Sequence, residues 1–144
     1  MTQNSRQIHA TPEQVWTVLS DGWLYPVWVV GASRMRDVDD TWPAVGSRLH
    51  HSVGVWPLLV DDNTEVVDAT PGMSITLRAR AWPVGEARVH IRLEAIGAET
   101  LVTIDEKAVS GPGALAPPPL ERVTLKWRNT ETLQRLAFIA EGKA

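Results

Sequence analysis

At 144 residues, 44% of them hydrophobic and 22% charged, the chain is long enough to bury a core without staples. It has no cysteine, which excludes a disulfide framework, a thiolate-held zinc and a thiol nucleophile. A formal net charge of −3 offers little to a phosphate backbone, so nucleic acid is not an expected partner.

In chain order, residues 5–10 read as a short strand. The polar start 1–10 lacks the apolar core of a signal peptide, and the apolar stretches 27–32 and 53–60 are too short to span a bilayer. A cytoplasmic location without stable membrane insertion is the expectation. Thr11-Pro12-Glu13-Gln14 starts a helix: Thr11 caps, Pro12 fits the first turn, and Gln14 lies three residues after the cap. Val15, Trp16, Val18 and Leu19 give its apolar stripe, and Asp21-Gly22 ends it. The apolar run 23–30 is broken by Pro26 and predicts a second short helix or turn.

From Gly31 the period changes to two. Strands are predicted over 32–38, 48–55, 65–69, 74–81, 87–95 and 101–109. Ile75, Leu77, Ala79 and Ala81 alternate with Thr76, Arg78 and Arg80; Val89, Ile91 and Leu93 alternate with Arg88, His90, Arg92 and Glu94. Such alternation marks antiparallel strands with one wet face. Pro71-Gly72, residues 83–86 and Gly97-Ala98 read as hairpin turns. Asp39-Asp40 and Asp61-Asp62 read as solvated turns. Four prolines in 111–119 predict a loop. Residues 120–141 then form one helix of about six turns, with Leu125, Leu133, Leu136 and Ala140 on its apolar stripe. No repeat or low-complexity tract is present.

A sheet with one apolar face and one long amphipathic helix must bury those faces together. One helix cannot fill the concavity of six or seven curved strands, so a cavity is expected between them. The fold class is α+β, with residues 1–144 as one ligand-binding domain.

Five stretches carry a family resemblance: Ile8-His9-Ala10-Thr11-Pro12-Glu13-Gln14-Val15-Trp16, Trp42-Pro43-Ala44-Val45-Gly46-Ser47-Arg48-Leu49, Gly54-Val55-Trp56-Pro57-Leu58, Glu106-Lys107-Ala108-Val109-Ser110-Gly111-Pro112 and Arg128-Asn129-Thr130-Glu131-Thr132-Leu133. Through them the chain resembles the START-like, or birch-pollen-allergen-like, helix-grip superfamily (SRPBCC), and within it the bacterial polyketide cyclase/dehydrase and lipid-transport branch. The likeness covers nearly the whole chain. It implies a helix-grip fold, a curved sheet wrapped round the C-terminal helix. The family holds cyclases, hydratases, lipid carriers and hormone receptors, so the fold alone does not settle activity. No fixed catalytic signature of the superfamily maps onto this sequence.

The candidate site follows from strand parity. Glu106 shares a face with Val102, Ile104 and Ala108; burial there disfavours a charged carboxylate and predicts a raised pKa. The other reading is a strand-end carboxylate that reaches water or bonds a backbone group. His51 shares a face with Leu49, Val53 and Val55, where it could move a proton or orient a ligand; a core histidine bonded to a backbone carbonyl is the alternative. If the two face each other they form an acid–base pair. Asn129 falls on the helix stripe and needs a partner, from a ligand or a backbone group. Arg128 flanks that stripe, with a salt bridge as its default role.

Leu49, Val53, Leu77, Ala79, Val89, Ile91, Ile104, Leu125, Asn129 and Leu133 are the expected cavity lining. The chain has seven Trp but one Phe and one Tyr, and Trp28, Trp56 and Trp82 are expected near the cavity mouth, unless they serve only as core. His9, His50, His51 and His90 lack metal-ligand spacing, and no phosphate loop or nucleophile elbow occurs; neither metal nor cofactor is expected. Two functions fit. One is the binding or carriage of a lipid-like or polycyclic small molecule. The other is a cyclase, aromatase or dehydratase in which Glu106 and His51 move protons. The few polar groups available to the cavity favour binding. A homodimer is compatible with either.

Overall fold

A computed structural model describes residues 2–29, 32–53, 60–81, 85–110 and 118–142. At 2, 32–34, 53, 60–62, 80–81, 85, 108–110 and 118–127 the description is of backbone alone. The elements run β1 (Thr2–Ile8), α1 (Pro12–Ser20), a single 3-10 turn (Gly22–Leu24), α2 (Tyr25–Trp28), β2 (Ala32–Val38), β3 (Arg48–Val53), β4 (Val60–Thr70), β5 (Ser74–Ala81), β6 (Gly85–Ile96), β7 (Glu99–Ser110) and α3 (Pro118–Gly142). The described strands form one antiparallel sheet in the order β1-β7-β6-β5-β4-β3-β2. The seven-stranded curved sheet, the C-terminal helix and the short helices after β1 make a helix-grip fold.

Local chemistry sets the first elements. Thr11 Oγ1 accepts the Gln14 backbone N–H at 3.2 Å, and Gln14 Oε1 accepts the Thr11 N–H at 2.8 Å. This reciprocal cap starts α1. The chain then turns tightly at Gly22, because nothing larger fits there. A Cβ on Gly22 would lie 2.5 Å from Leu49 Cδ2 and 2.8 Å from Val38 Cγ1, so the turn seats directly on β2 and β3.

Three expectations are corrected. Prolines do not bar a regular element before residue 120: α3 begins at Pro118, since first-turn N–H groups have no intrahelical acceptor and Pro loses nothing there. The strand expected over 65–69 runs from Val60 to Thr70. Asp61 and Asp62 therefore lie in a ladder, opposite Ser52 and His51, not in a turn. Cross-strand pairing with β3 overrides the poor strand preference of that polar run.

Along α3, Leu133, Leu136, Ala137 and Ala140 are buried and pack with Ile8, Val15, Val18, Leu19, Val66, Ile75, Leu77, Ile91, Leu93, Val102 and Ile104. The C-terminal half of the helix and the sheet centre thus form a closed core. Asn4 Nδ2 donates to Thr130 Oγ1 at 3.0 Å, which ties edge strand β1 to the helix. Among the described residues no helix is long and apolar enough to cross a membrane.

Candidate functional site

The sheet register locates the part of the inner face that the core leaves open. Glu106, Val89, Leu77 and Val66 form one row across β7, β6, β5 and β4. Ala87, Ala79, Thr64 and Leu49 form the next, from β6 to β3. In these rows Ala87, Ala79 and Val89 are part-exposed, although their neighbours Glu106, Leu77, Val66, Thr64 and Leu49 are buried. Two alanines and a valine at the middle of a concave sheet leave room that larger side chains would fill. They form a floor with polar groups on both sides.

On one side stands Glu106, only 3% exposed. It is ion-paired with Arg128 of α3, which donates through Nη2. An adjacent guanidinium favours the ionised carboxylate, so desolvation does not act on Glu106 alone. Burial lowers the pKa of Arg128, but a guanidinium starts so high that it keeps its proton.

On the other side, His51 Nε2 and Thr64 Oγ1 lie 2.8 Å apart, and Tyr25 Oη is a long 3.4 Å from the same hydroxyl. The Tyr25 ring stands edge-on to His51, with centroids 5.7 Å apart at 88°, and tilts over Trp28 at 5.4 Å. Burial raises the Tyr25 pKa, and the Thr64 hydrogen bond and the Arg128 charge only partly offset this. Tyr25 is therefore a neutral phenol at ordinary pH.

Glu106 and His51 are not in direct contact. Each has its own partner, and they stand four strands apart, roughly 19 Å along the curved sheet at the usual strand spacing. Tyr25 lies between them in the electrostatic sense, feeling Arg128 and touching His51. Two further donors are buried here: Trp28 Nε1 and Asn129 Nδ2 have no hydrogen-bond partner among the described residues. A buried donor left unmade is costly, and natural structures rarely keep one without a ligand or water to meet it.

The other expected lining residues divide. Leu77, Ile91, Ile104 and Leu133 belong to the packed core, as does Trp28, and Val89 packs against its edge. Leu49 is taken up under Gly22. The side chains of Val53 and Leu125, and the whole of Trp56 and Trp82, lie outside the described residues. Sequence reasoning gave no role to Tyr25 or Thr64. Thr64 lies one residue before the predicted strand 65–69; extending the alternation back from Val66 reaches it. Tyr25 carries no such signal, because its neighbours are apolar and it reads as core. Among the described residues no group of three or more His, Asp or Glu could hold a metal ion.

The family model for polyketide cyclase / dehydrase and lipid transport matches residues 2–141, and the chain belongs to that family. Solved structures share the fold at low identity. Protein NE0264 from Nitrosomonas europaea superposes with a TM-score of 0.73 at 13% identity, covering 99% of this chain and 94% of that one. Ara h 8.0201 gives 0.73 at 10% identity, with 97% and 96% covered. The di-domain ARO/CYC StfQ from the steffimycin biosynthetic pathway gives 0.73 at 13% identity, covering 98% of this chain and 50% of that one. No curated protein matches the sequence.

Proposed function

We propose that this protein binds an apolar small molecule, lipid-like or polycyclic, over the floor made by Ala79, Ala87 and Val89. The observation that carries the reading is the conjunction of part-exposed apolar side chains on the inner face with two buried donors, Trp28 Nε1 and Asn129 Nδ2, that no described residue meets. An apolar body would cover the floor, and a carbonyl or hydroxyl oxygen would accept from those donors. Apolar walls with a few convergent polar groups are the usual form of a small-molecule site. The family's range, from cyclases and dehydrases to lipid transport, accommodates this. Native mass spectrometry of the full chain, with displacement of a neutral naphthylamine dye, tests it. A carried-over or competing apolar ligand supports the reading; a chain that neither carries a ligand nor takes up the dye refutes it.

A second reading is a cyclase- or dehydratase-type reaction with Glu106 and His51 moving protons. It is favoured by the His51–Thr64–Tyr25 cluster, in which an imidazole, a hydroxyl and a phenol meet at one buried place. The ion pair to Arg128 weighs against Glu106 as the acid. Glu106→Gln separates the readings. A carrier should keep its affinity for the dye within about twofold; an enzyme that uses this carboxyl should bind equally well and lose most of its turnover.

A further inference from the structure

Away from the inner face, α1, the Gly22–Leu24 turn and the β2–β3 connection enclose a groove of about 510 Å³. Trp16, Trp23 and Trp42 line it, with Asp21, Asp39 and Asp40, and no Lys or Arg does. Three of the chain's seven tryptophans therefore meet in one external depression whose charged groups are all acidic. Gly22 forms part of the wall and rests on Leu49, so a buried side chain lies between this groove and the interior.

We infer that this groove is a second ligand site and takes a small, water-soluble organic cation of the quaternary or alkylated ammonium kind. The three indoles make no ring–ring contact with one another among the described residues, where the ring pairs are Tyr25–Trp28 and Tyr25–His51. Their faces are therefore not spent on each other, and an indole face attracts a cation that sheds its water easily. Two of the rings are held in place. Trp42 Nε1 donates to the Leu19 carbonyl at 3.1 Å, and Trp16 packs against the core. Trp23 is 55% exposed, so much of its ring is open to a guest. Asp39 is fixed by the Arg48 N–H and by His50 Nε2, both at 2.9 Å, while Asp21 and Asp40 stand exposed. The volume lies within the range of small-molecule sites. The carboxylates at the rim disfavour an anionic lipid surface.

The test is a titration of the full chain with choline, followed by NMR of the indole Nε1–H signals. Each signal is assigned by a single Trp→Phe substitution, with sodium chloride at matched ionic strength as control. Choline should move the Trp16, Trp23 and Trp42 signals along one saturable curve. Trp23→Ala, at an exposed position, should weaken binding about two- to fivefold, and Asp40→Asn should weaken it too. Dimethylbutanol, the neutral isostere of choline, should leave those signals in place. Equal shifts with dimethylbutanol, a curve carried by Trp28 instead of the three groove indoles, or no saturable shift would each overturn the inference. A curve carried by Trp28 would place the cation at the interior site instead, since Trp28 is that site's reporter; the other outcomes leave the interior reading untouched.

Discussion

Glu106 and Arg128 form a pair whose halves differ in their access to water. The carboxylate is 3% exposed, whereas the Arg128 side chain is 35% exposed. Removing the arginine leaves a buried charge with no compensation; neutralising the glutamate leaves a cation that can still turn toward solvent. Removing the less buried partner, which leaves the more buried charge unpaired, is the costly direction. Arg128→Met should therefore destabilise by about 3 kcal/mol. Glu106→Gln, which keeps an acceptor for the guanidinium, should cost about 1 kcal/mol. Urea unfolding of both variants checks this, with an unchanged slope as the sign that the loss lies in the folded state. Equal losses would mean that the carboxylate is better solvated than its burial suggests. The inward direction of Glu106 was legible from alternation with Val102 and Ile104, and a salt bridge was the default for Arg128. That they bond to each other was not legible, since no local pattern tells which strand lies under a given turn of a long helix.

At the scale of elements, the two ends of the chain are joined by charged contacts. His9 Nδ1 lies 2.7 Å from Glu99 Oε1, Gln7 also donates to that carboxylate, and the His9 backbone N–H donates to Glu141 at 3.0 Å. These contacts hold the end of β1 against the β6–β7 turn and the last turn of α3. The hydrogen bond to Glu99, and then its charge, raise the pKa of His9 from its ordinary 6.5. The bonds from Gln7 and His9 lower that of Glu99 from 4.5. A raised histidine contributes stability that is complete below 6.5 and lost as pH rises through its folded value. A lowered carboxylate contributes above 4.5 and loses it as pH falls through its folded value. The stability difference between the native chain and His9→Gln should therefore be greatest between pH 4.5 and 6.5 and disappear at alkaline pH. Denaturation midpoints across that range measure it. High salt should shrink the difference, because the pair is exposed. A difference that persisted above neutrality would assign it to packing rather than charge. The same scale shows where sequence patterns serve and where they fail. β2 and β5 have the ends that alternation predicts, 32–38 and 74–81. β4 and α3 begin earlier than predicted, because a polar run can pair and prolines can open a helix when the tertiary partner is present.

Across the molecule, the order of elements was enough to predict a sheet that grips a helix, because two amphipathic surfaces of those sizes have one economical way to cover each other. The distribution of filled and open space inside the grip was not legible, since it depends on which rows of the sheet the helix covers. The row of Ile75, Ile91 and Ile104 is buried to within 2%. Val89, two residues from Ile91 on the same strand and face, is part-exposed. This contrast gives a test of the open floor that needs no knowledge of the ligand. A tryptophan at Ile91 has no space to enter and should cost about 3 kcal/mol through overpacking. A tryptophan at Val89 would project over Ala79 and Ala87 and should change stability by less than about 1 kcal/mol, since it displaces solvent instead of protein. If that floor is the binding surface, Val89→Trp should also abolish uptake of the neutral dye while leaving far-ultraviolet circular dichroism unchanged. The comparison with Ile91→Trp separates blocking from unfolding. A Val89→Trp chain as destabilised as Ile91→Trp would show that the floor is closed, and a stable chain that still took up the dye would place the apolar site elsewhere.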